Sequence, residues 1–376
     1  MKLIYLTSKK YPGGTADHIF VKEMANAFGK VLRDDFLLIL ANNISEFFKD
    51  IHIVNVGLNN ERGRTVYYFF WLFFFIIKNK HNSCGTVFFS NDPNLLSSLI
   101  VLRKLFRFRY KICSEWHQLF DDWRDSFVAT KSDFLIVTSR ILRQAIVDKT
   151  KINPEKSFVV YGGVHIEKYN IDQNRNFKKE LHLPHDKILV AYVGLFKTLG
   201  IKKGIDTMIN ALEYLPENIV MVFVGGTKEE IAEYQEQITN TKIFNRCVFI
   251  EKQSAETVSL YQKTVDILVI PNPDKPPFNN YCIPMKIYEY LASRKPIIYS
   301  KFALLDEVLC DCAFDFVPEN PKDLAEKILF VVDINNRDAV KQKAVLCYTK
   351  AEQWTWEKRA RRIVGFLTTE ASSLTR

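Results

Sequence analysis

Short apolar runs, each closed by a polar or glycine-bearing turn and followed by a helical pattern, recur along this chain. At 171–186 the series pauses in a polar stretch of Asp, Gln, Asn and Lys, and then it begins again. Apolar runs of this length fit strands buried on both faces. Parallel strands need a crossover, usually a helix, so the series predicts parallel sheets covered by helices. The first series predicts strands at 2–6, 36–40, 86–89, 112–114, 134–138 and 158–161. The second predicts them at 187–193, 220–224, 247–250, 265–270, 296–298 and 313–317, and a charged helix at 356–367 closes the chain. Two series predict two doubly wound α/β domains in tandem, which suits a length of 376 residues.

Punctuation within the series marks where ligands could sit. Between the first strand and a helix pattern at 16–28 lies a loop carrying Gly13 and Gly14. A glycine pair lets backbone approach a ligand closely, and it also serves in a plain strand-to-helix turn. Ser90-Asn91-Asp92-Pro93 is a helix start signal, and Ser139 is a good N-cap for a helix at 140–148. Glu115-Trp116-His117 falls at the C-terminal end of a predicted strand. Ligands of α/β sheets bind beyond such ends, so His117 is a candidate as well as an ordinary structural histidine. In the second series Gly194 closes a strand and Lys203-Gly204 opens a helix.

Residues 278–300 carry the densest signal. They read as a polar loop, a short helix opened by Pro284 and a buried strand at 296–298. Proline is tolerated in the first helical turn, where its missing N–H would be unpaired anyway. Backbone N–H groups at Ile283 to Lys286 would then point out of a helix N-terminus, which suits an anion. Lys286 adds positive charge, and Glu289 follows one turn on. A surface loop with an ordinary amphipathic helix fits the same letters.

Composition narrows the partners. A formal net charge of +9 favours an anionic partner: a nucleotide, a phospholipid surface or nucleic acid. No nucleic-acid module pattern or basic tail is visible, so no nucleic-acid partner is expected. Seven scattered cysteines without a CxxC pair read as reduced thiols of the cytosol, and the N-terminus reads as a first strand and no signal peptide. Residues 65–77, TVYYFFWLFFFII, are too short to span a bilayer, which takes about 20 residues. Two readings stand: a core helix buried all round, which is favoured, or an interfacial segment whose flanking Arg62, Arg64, Lys78 and Lys80 meet head groups. The alternating basic and aromatic residues at 103–111 are either a solvated face or a second point of attraction to an anionic membrane.

Several stretches together resemble glycosyltransferase family 4, of GT-B fold. They are FLIVTS at 134–139, YGGV at 161–164, YVG at 192–194 followed by KGID at 203–206, and VDILVIP at 265–271. Also similar are PMKIYEYLA at 284–292, KPII at 295–298 and the tail TWEKR at 355–359. The resemblance implies two Rossmann-like domains facing each other across a cleft, with the C-terminal helix crossing back to the N-terminal domain. It divides the chain into an acceptor domain at 1–168 joined by 354–376, and a donor domain at 169–353. It implies retaining transfer of a sugar from a UDP- or GDP-sugar to a lipid-linked or polysaccharide acceptor, in bacterial-type surface glycan synthesis. No metal or other cofactor is implied. Localisation is expected to be cytoplasmic, with peripheral contact at the inner face of the membrane.

Carried over residue by residue, the resemblance makes Glu289 the holder of the ribose hydroxyls, Lys203 the diphosphate lysine and His117 the group facing the donor sugar. Gly13 and Gly14 match the N-terminal glycine loop, and Gly194, Lys197, Tyr281, Cys282, Ile283, Pro284, Met285 and Lys286 complete the expected donor site. Two departures stand out. Tyr281 replaces the glutamate that usually precedes the second by eight residues, and Leu195 replaces an arginine, with Lys197 as a substitute charge. A GT-B nucleotide-sugar epimerase and a non-catalytic nucleotide-sugar-binding module are the rival readings.

Overall fold

The computed structural model describes the chain except residues 12, 14, 44–47, 49, 58–62, 171–176, 199, 277, 282 and 374–376, and the side chains of 43, 64 and 370–373. Gly14 and Cys282, both expected in the site, and Arg62, one of the flanking basic residues, therefore lie outside the described residues. The Arg64 side chain does too. Two compact units emerge: Met1–Gly162 with Trp356–Arg376, and Gly163–Thr355.

The first unit is built on seven parallel strands. In spatial order they are Ile53–Asn55, Phe36–Leu40, Lys2–Leu6, Thr86–Ser90, Lys111–Trp116, Phe134–Val137 and Ser157–Val159. The second unit has six parallel strands: Cys247–Glu251, Ile219–Gly226, Ile188–Val193, Ile267–Ile270, Ile297–Ser300 and Phe314–Phe316. Each order runs outward from the unit's first strand and then reverses. That is the doubly wound arrangement, and its ligand crevice lies at the point of reversal. Every residue of Ile219–Gly226 is buried, as a strand covered on both faces requires. Each large apolar side chain so buried contributes about 1.5–3 kcal/mol.

Helix starts follow the caps. Asp92 accepts from the N–H groups of Asn94 and Leu95 to open the helix Pro93–Phe106. Ser139 accepts from Leu142 to open Arg140–Thr150. At the far end of the chain Trp356–Ser373 forms a helix that packs on Ala16–Leu32 within the first unit. Its buried residues Trp356, Ala360, Ile363 and Leu367 fall on one stripe, spaced four, three and four apart.

The aromatic stretch corrects one expectation. It forms the helix Arg64–Lys78, and that helix is not buried all round. Tyr68, Leu72, Phe75 and Ile76 face the core, whereas Tyr67, Phe70, Phe74 and Ile77 face outward, with Phe74 66% exposed. Among the described residues no helix is long and apolar enough to cross a membrane.

Candidate functional site

In the second unit the sheet reverses between Ile188–Val193 and Ile267–Ile270. The chain leaves these two strands at Gly194 and Pro271, and Lys203 and Lys286 of the expected site residues lie beside them. Gly194 holds φ at 153°, and a Cβ there would lie 2.7 Å from Lys286 Nζ. Only glycine lets that ammonium rest against the backbone. Gly204 plays the matching part: at φ 78° it packs so closely on Pro271 that a Cβ would sit 1.9 Å from the Pro271 carbonyl oxygen. This contact fixes the neighbouring Lys203 beside the strand end.

Both amines rest against aromatic rings. Lys203 is buried and its Nζ stands 3.7 Å above the centre of the Phe278 ring. Lys286 Nζ stands 3.8 Å above the Tyr192 ring and also donates to the Tyr192 hydroxyl. Burial holds the Lys286 ammonium well below the usual lysine range, and the charge of Lys203 pushes it further down. Aromatic faces attract both cations. An anion bound here would favour both charges at once.

Lys286 begins the helix Lys286–Ala292, two residues after the Pro284 that was expected to open it. The N–H groups of Ile287 and Tyr288 close turns onto the carbonyls of Pro284 and Met285. Ile283 is buried, and Tyr281, Pro284 and Met285 are half-buried in the approach to the helix. Tyr290 pins this helix to the strand end, donating to the Val193 carbonyl at 3.1 Å and accepting from its N–H at 2.8 Å. One turn in, Glu289 Oε2 accepts from Gln262 Nε2 at 3.1 Å, and Tyr169 donates to Gln262 Oε1. Burial raises the Glu289 carboxyl above its ordinary value, against the opposing pull of Gln262 and Lys286.

Other expected residues are placed differently. Lys197 lies in a small hairpin, Lys197–Thr198 against Ile201–Lys202. There it pairs with Glu233 at 2.6 Å, and Lys202 pairs with the same carboxylate at 2.9 Å. Those hydrogen bonds draw the Glu233 carboxyl down to about 2. Leu195, at the position of the missing arginine, is 53% exposed. The Tyr192 hydroxyl donates to the Leu195 carbonyl at 2.7 Å and holds that turn.

In the first unit, a Cβ on Gly13 would lie 2.0 Å from His18 Cδ2, so the space over this glycine belongs to the chain's own imidazole. His117 follows the strand Lys111–Trp116, with its ring edge-on to Phe20 at 4.4 Å between centroids. Its Nε2 lies 3.5 Å from Glu115 Oε2. Glu115 in turn pairs with Arg359 of the tail helix at 2.7 Å. Burial alone would raise the Glu115 carboxyl, but Arg359 and His117 together hold it below its ordinary value.

Sequence reasoning missed Gln262, Tyr169 and Asn272, and gave Phe278 no role of its own. Asn272 is 0% exposed, and neither side-chain atom has a hydrogen-bond partner among the described residues. Leaving a buried amide unpaired costs about 1–3 kcal/mol, so such a group marks a place where a ligand or water completes the structure. Its signal was available: a lone asparagine between Pro271 and Pro273 at the end of a central strand.

Residues 147–345, more than half of the chain, match the family model for glycosyl transferases group 1. A D-inositol 3-phosphate glycosyltransferase of Mycobacteroides abscessus is 25% identical over 149 residues, which are 39% of this chain. The chain spans about a third (33%) of that relative's length. Among solved structures, HepE of Anabaena in complex with UDP superposes with a TM-score of 0.76 at 17% identity, covering 98% of this chain and 100% of that one. The lipopolysaccharide outer core galactosyltransferase WaaB gives 0.72 at 14% identity, again with 98% and 100% coverage. Both are likenesses of fold: each unit is a Rossmann-like parallel sheet, as in GT-B proteins.

Proposed function

Because this chain belongs to the group 1 glycosyl transferases, we propose that it takes a sugar from a nucleotide-diphosphate sugar and hands it, with retention, to a lipid-linked or polysaccharide acceptor. One observation carries the donor part. Two lysines, buried Lys203 and half-buried Lys286, lie at the strand ends where the second sheet reverses, and the charge of Lys203 disfavours that of Lys286, an effect a bound anion would offset. A nucleoside diphosphate supplies that anion, both in the bound donor and as the leaving group whose charge grows in the transition state. Glu289, turned by Gln262, accepts from the ribose hydroxyls. His117 faces the transferred sugar. HepE has been captured with UDP-glucose, which favours a uridine donor here.

Donor release and transfer from a panel of UDP- and GDP-sugars test this assignment. Glu289→Ala and Lys203→Ala should each lower kcat/KM about 10- to 100-fold, the worth of a hydrogen bond to a charged group. Wild-type turnover in both variants would overturn the site. A changed donor with no acceptor required would instead indicate an epimerase, and donor binding without turnover a binding module.

The acceptor part rests on the first unit. Tyr67, Phe70, Phe74 and Ile77 form an exposed aromatic stripe, and Leu105 and Phe106 at the end of Pro93–Phe106 extend it. Phe73 joins the two helices, its ring 4.4 Å from that of Phe106. Exposed Lys78, Lys80, Lys104, Arg107 and Arg109 lie on these two helices and directly after their ends. Apolar side chains rimmed by cations suit the surface of an anionic bilayer, where a lipid-linked acceptor would be met.

A further inference from the structure

Behind His117 the first unit contains a buried pair of opposite charges, Glu115 and Arg359. Arg359 is 2% exposed, although Lys358, Arg361 and Arg362 on the same helix are exposed. Its Nε donates to the Tyr161 carbonyl at 2.8 Å, and its Nη2 donates to Glu115 Oε1 at 2.7 Å and to the Val160 carbonyl at 3.4 Å. The guanidinium also stands 5.0 Å from the centre of the Phe20 ring, the same ring that abuts His117. Trp356, one turn earlier on the tail helix, meets Phe20 edge-on at 5.2 Å between centroids.

Glu115 is thus buried as an anion, and one of its oxygens is spoken for. The other, Oε2, has no hydrogen bond among the described residues, and neither has His117 Nε2, which lies 3.5 Å away. An ionised carboxylate accepts only, so an imidazole nitrogen turned toward it must carry a proton. The two orphaned atoms complete each other when the ring is in its Nε2–H form. A carboxylate that orients the opposite edge of a functional imidazole sets its tautomer and its basicity. Asp17 is the other carboxylate close enough to sense the His117 charge, and it is held by Lys9 and by Asn91 Nδ2 at 3.1 Å.

We propose that Arg359 is a positioning residue for the transfer site: from the C-terminal helix it keeps Glu115 ionised, and Glu115 locks the His117 ring in the Nε2–H tautomer, leaving Nδ1 as its acceptor. The last helix thereby reaches the transfer chemistry without touching substrate. This rests on the assignment of His117 to the transfer site, so the test carries a readout that does not need activity.

The experiment is long-range proton–nitrogen NMR on the full chain labelled with ¹⁵N-histidine, the His117 signals being assigned by their loss in His117→Gln. Wild type should show a single Nε2–H tautomer. Glu115→Gln combined with Arg359→Met removes both buried charges and keeps their volume, and its fold is checked by circular dichroism. In that variant His117 should become a tautomer mixture, and kcat should fall roughly 10- to 100-fold, the usual effect of losing a partner that orients an imidazole. Arg359→Lys, which keeps the charge, should retain the wild-type tautomer and most of kcat. Should the double variant not fold, Glu115→Gln alone is read in the same way. An unchanged tautomer in a folded variant overturns the proposal whatever the rate does. A tautomer shift without any transferase activity in wild type would sustain the positioning and remove the transferase reading instead.

Discussion

Lys286 and Glu289 lie one turn apart on a single short helix, and burial moves both toward neutrality: the amine down, the carboxyl up. Each shift costs folding stability in the ligand-free protein. The Glu289 cost sets in as pH rises past the ordinary carboxylate range, and the Lys286 cost persists until pH passes the ordinary lysine value of about 10.4. A ligand that needs both charges therefore meets a bell-shaped dependence. Affinity for a nucleoside diphosphate should fall on the acid side as Glu289 gains its proton above the usual carboxylate range. It should fall on the alkaline side as Lys286 loses its proton below the usual lysine range. Calorimetric titration across pH checks this, and Lys286→Met should flatten the alkaline limb alone; a wild-type profile without an alkaline limb before the ordinary lysine range would count against the cluster. At this scale the sequence was a partial guide. Glu289, Lys286 and Lys203 could be picked out because glycine, proline and strand ends mark their neighbourhoods. Gln262 could not, since an amide's importance lies in whether its partners are present, and that is a property of the packing. Arg359 was read only as one letter of a charged tail, because its partner Glu115 stands 244 positions away.

Elements were more legible than side chains. Strands covered on both faces must be apolar at every position, and capped helices declare their first turn, so both sheets and the helices after Asp92 and Ser139 could be drawn from letters. The failures have the opposite physics. Ile53–Asn55 is a three-residue edge strand, half-buried, with too few letters to form a pattern. Arg337–Gln353 buries only Val340, Ala344, Cys347 and Ala351, a stripe of mostly small residues that contrasts weakly with the rest of the helix. The aromatic helix misled for a third reason: a helix apolar all round has no periodicity to say which face is buried. Its outer stripe now invites a direct test. Phe70→Glu with Phe74→Glu should leave the melting temperature within a few degrees, because exposed substitutions usually change stability by less than about 0.5 kcal/mol. The same pair should abolish flotation with anionic liposomes. Wild-type flotation should also weaken with salt, at about 1 kcal/mol per nearby cation at low ionic strength. Binding that is indifferent to both the substitutions and salt would contradict a membrane role for this face.

At the scale of the whole molecule, two parallel sheets with the same winding order are carried by one chain whose last helix returns to the first unit. The tandem series of apolar runs announced the two sheets, the family resemblance implied the returning helix, and membership of the group 1 glycosyl transferases fits both. A formal charge of +9 suits a protein whose proposed ligands, a nucleoside diphosphate and an anionic membrane, are both negative. At the position where the resemblance expects an arginine the chain carries Leu195, which is exposed. We propose that Lys203 and Lys286 together hold the diphosphate. Isothermal calorimetry with UDP and GDP on the wild type and on Lys203→Met, Lys286→Met addresses it without needing the acceptor. One site per chain is predicted, with affinity at least about tenfold weaker in the double variant, since a single hydrogen bond to a charged group is worth about 1.5–3 kcal/mol. Equal affinity in a folded double variant, or no nucleotide binding by the wild type, would contradict it.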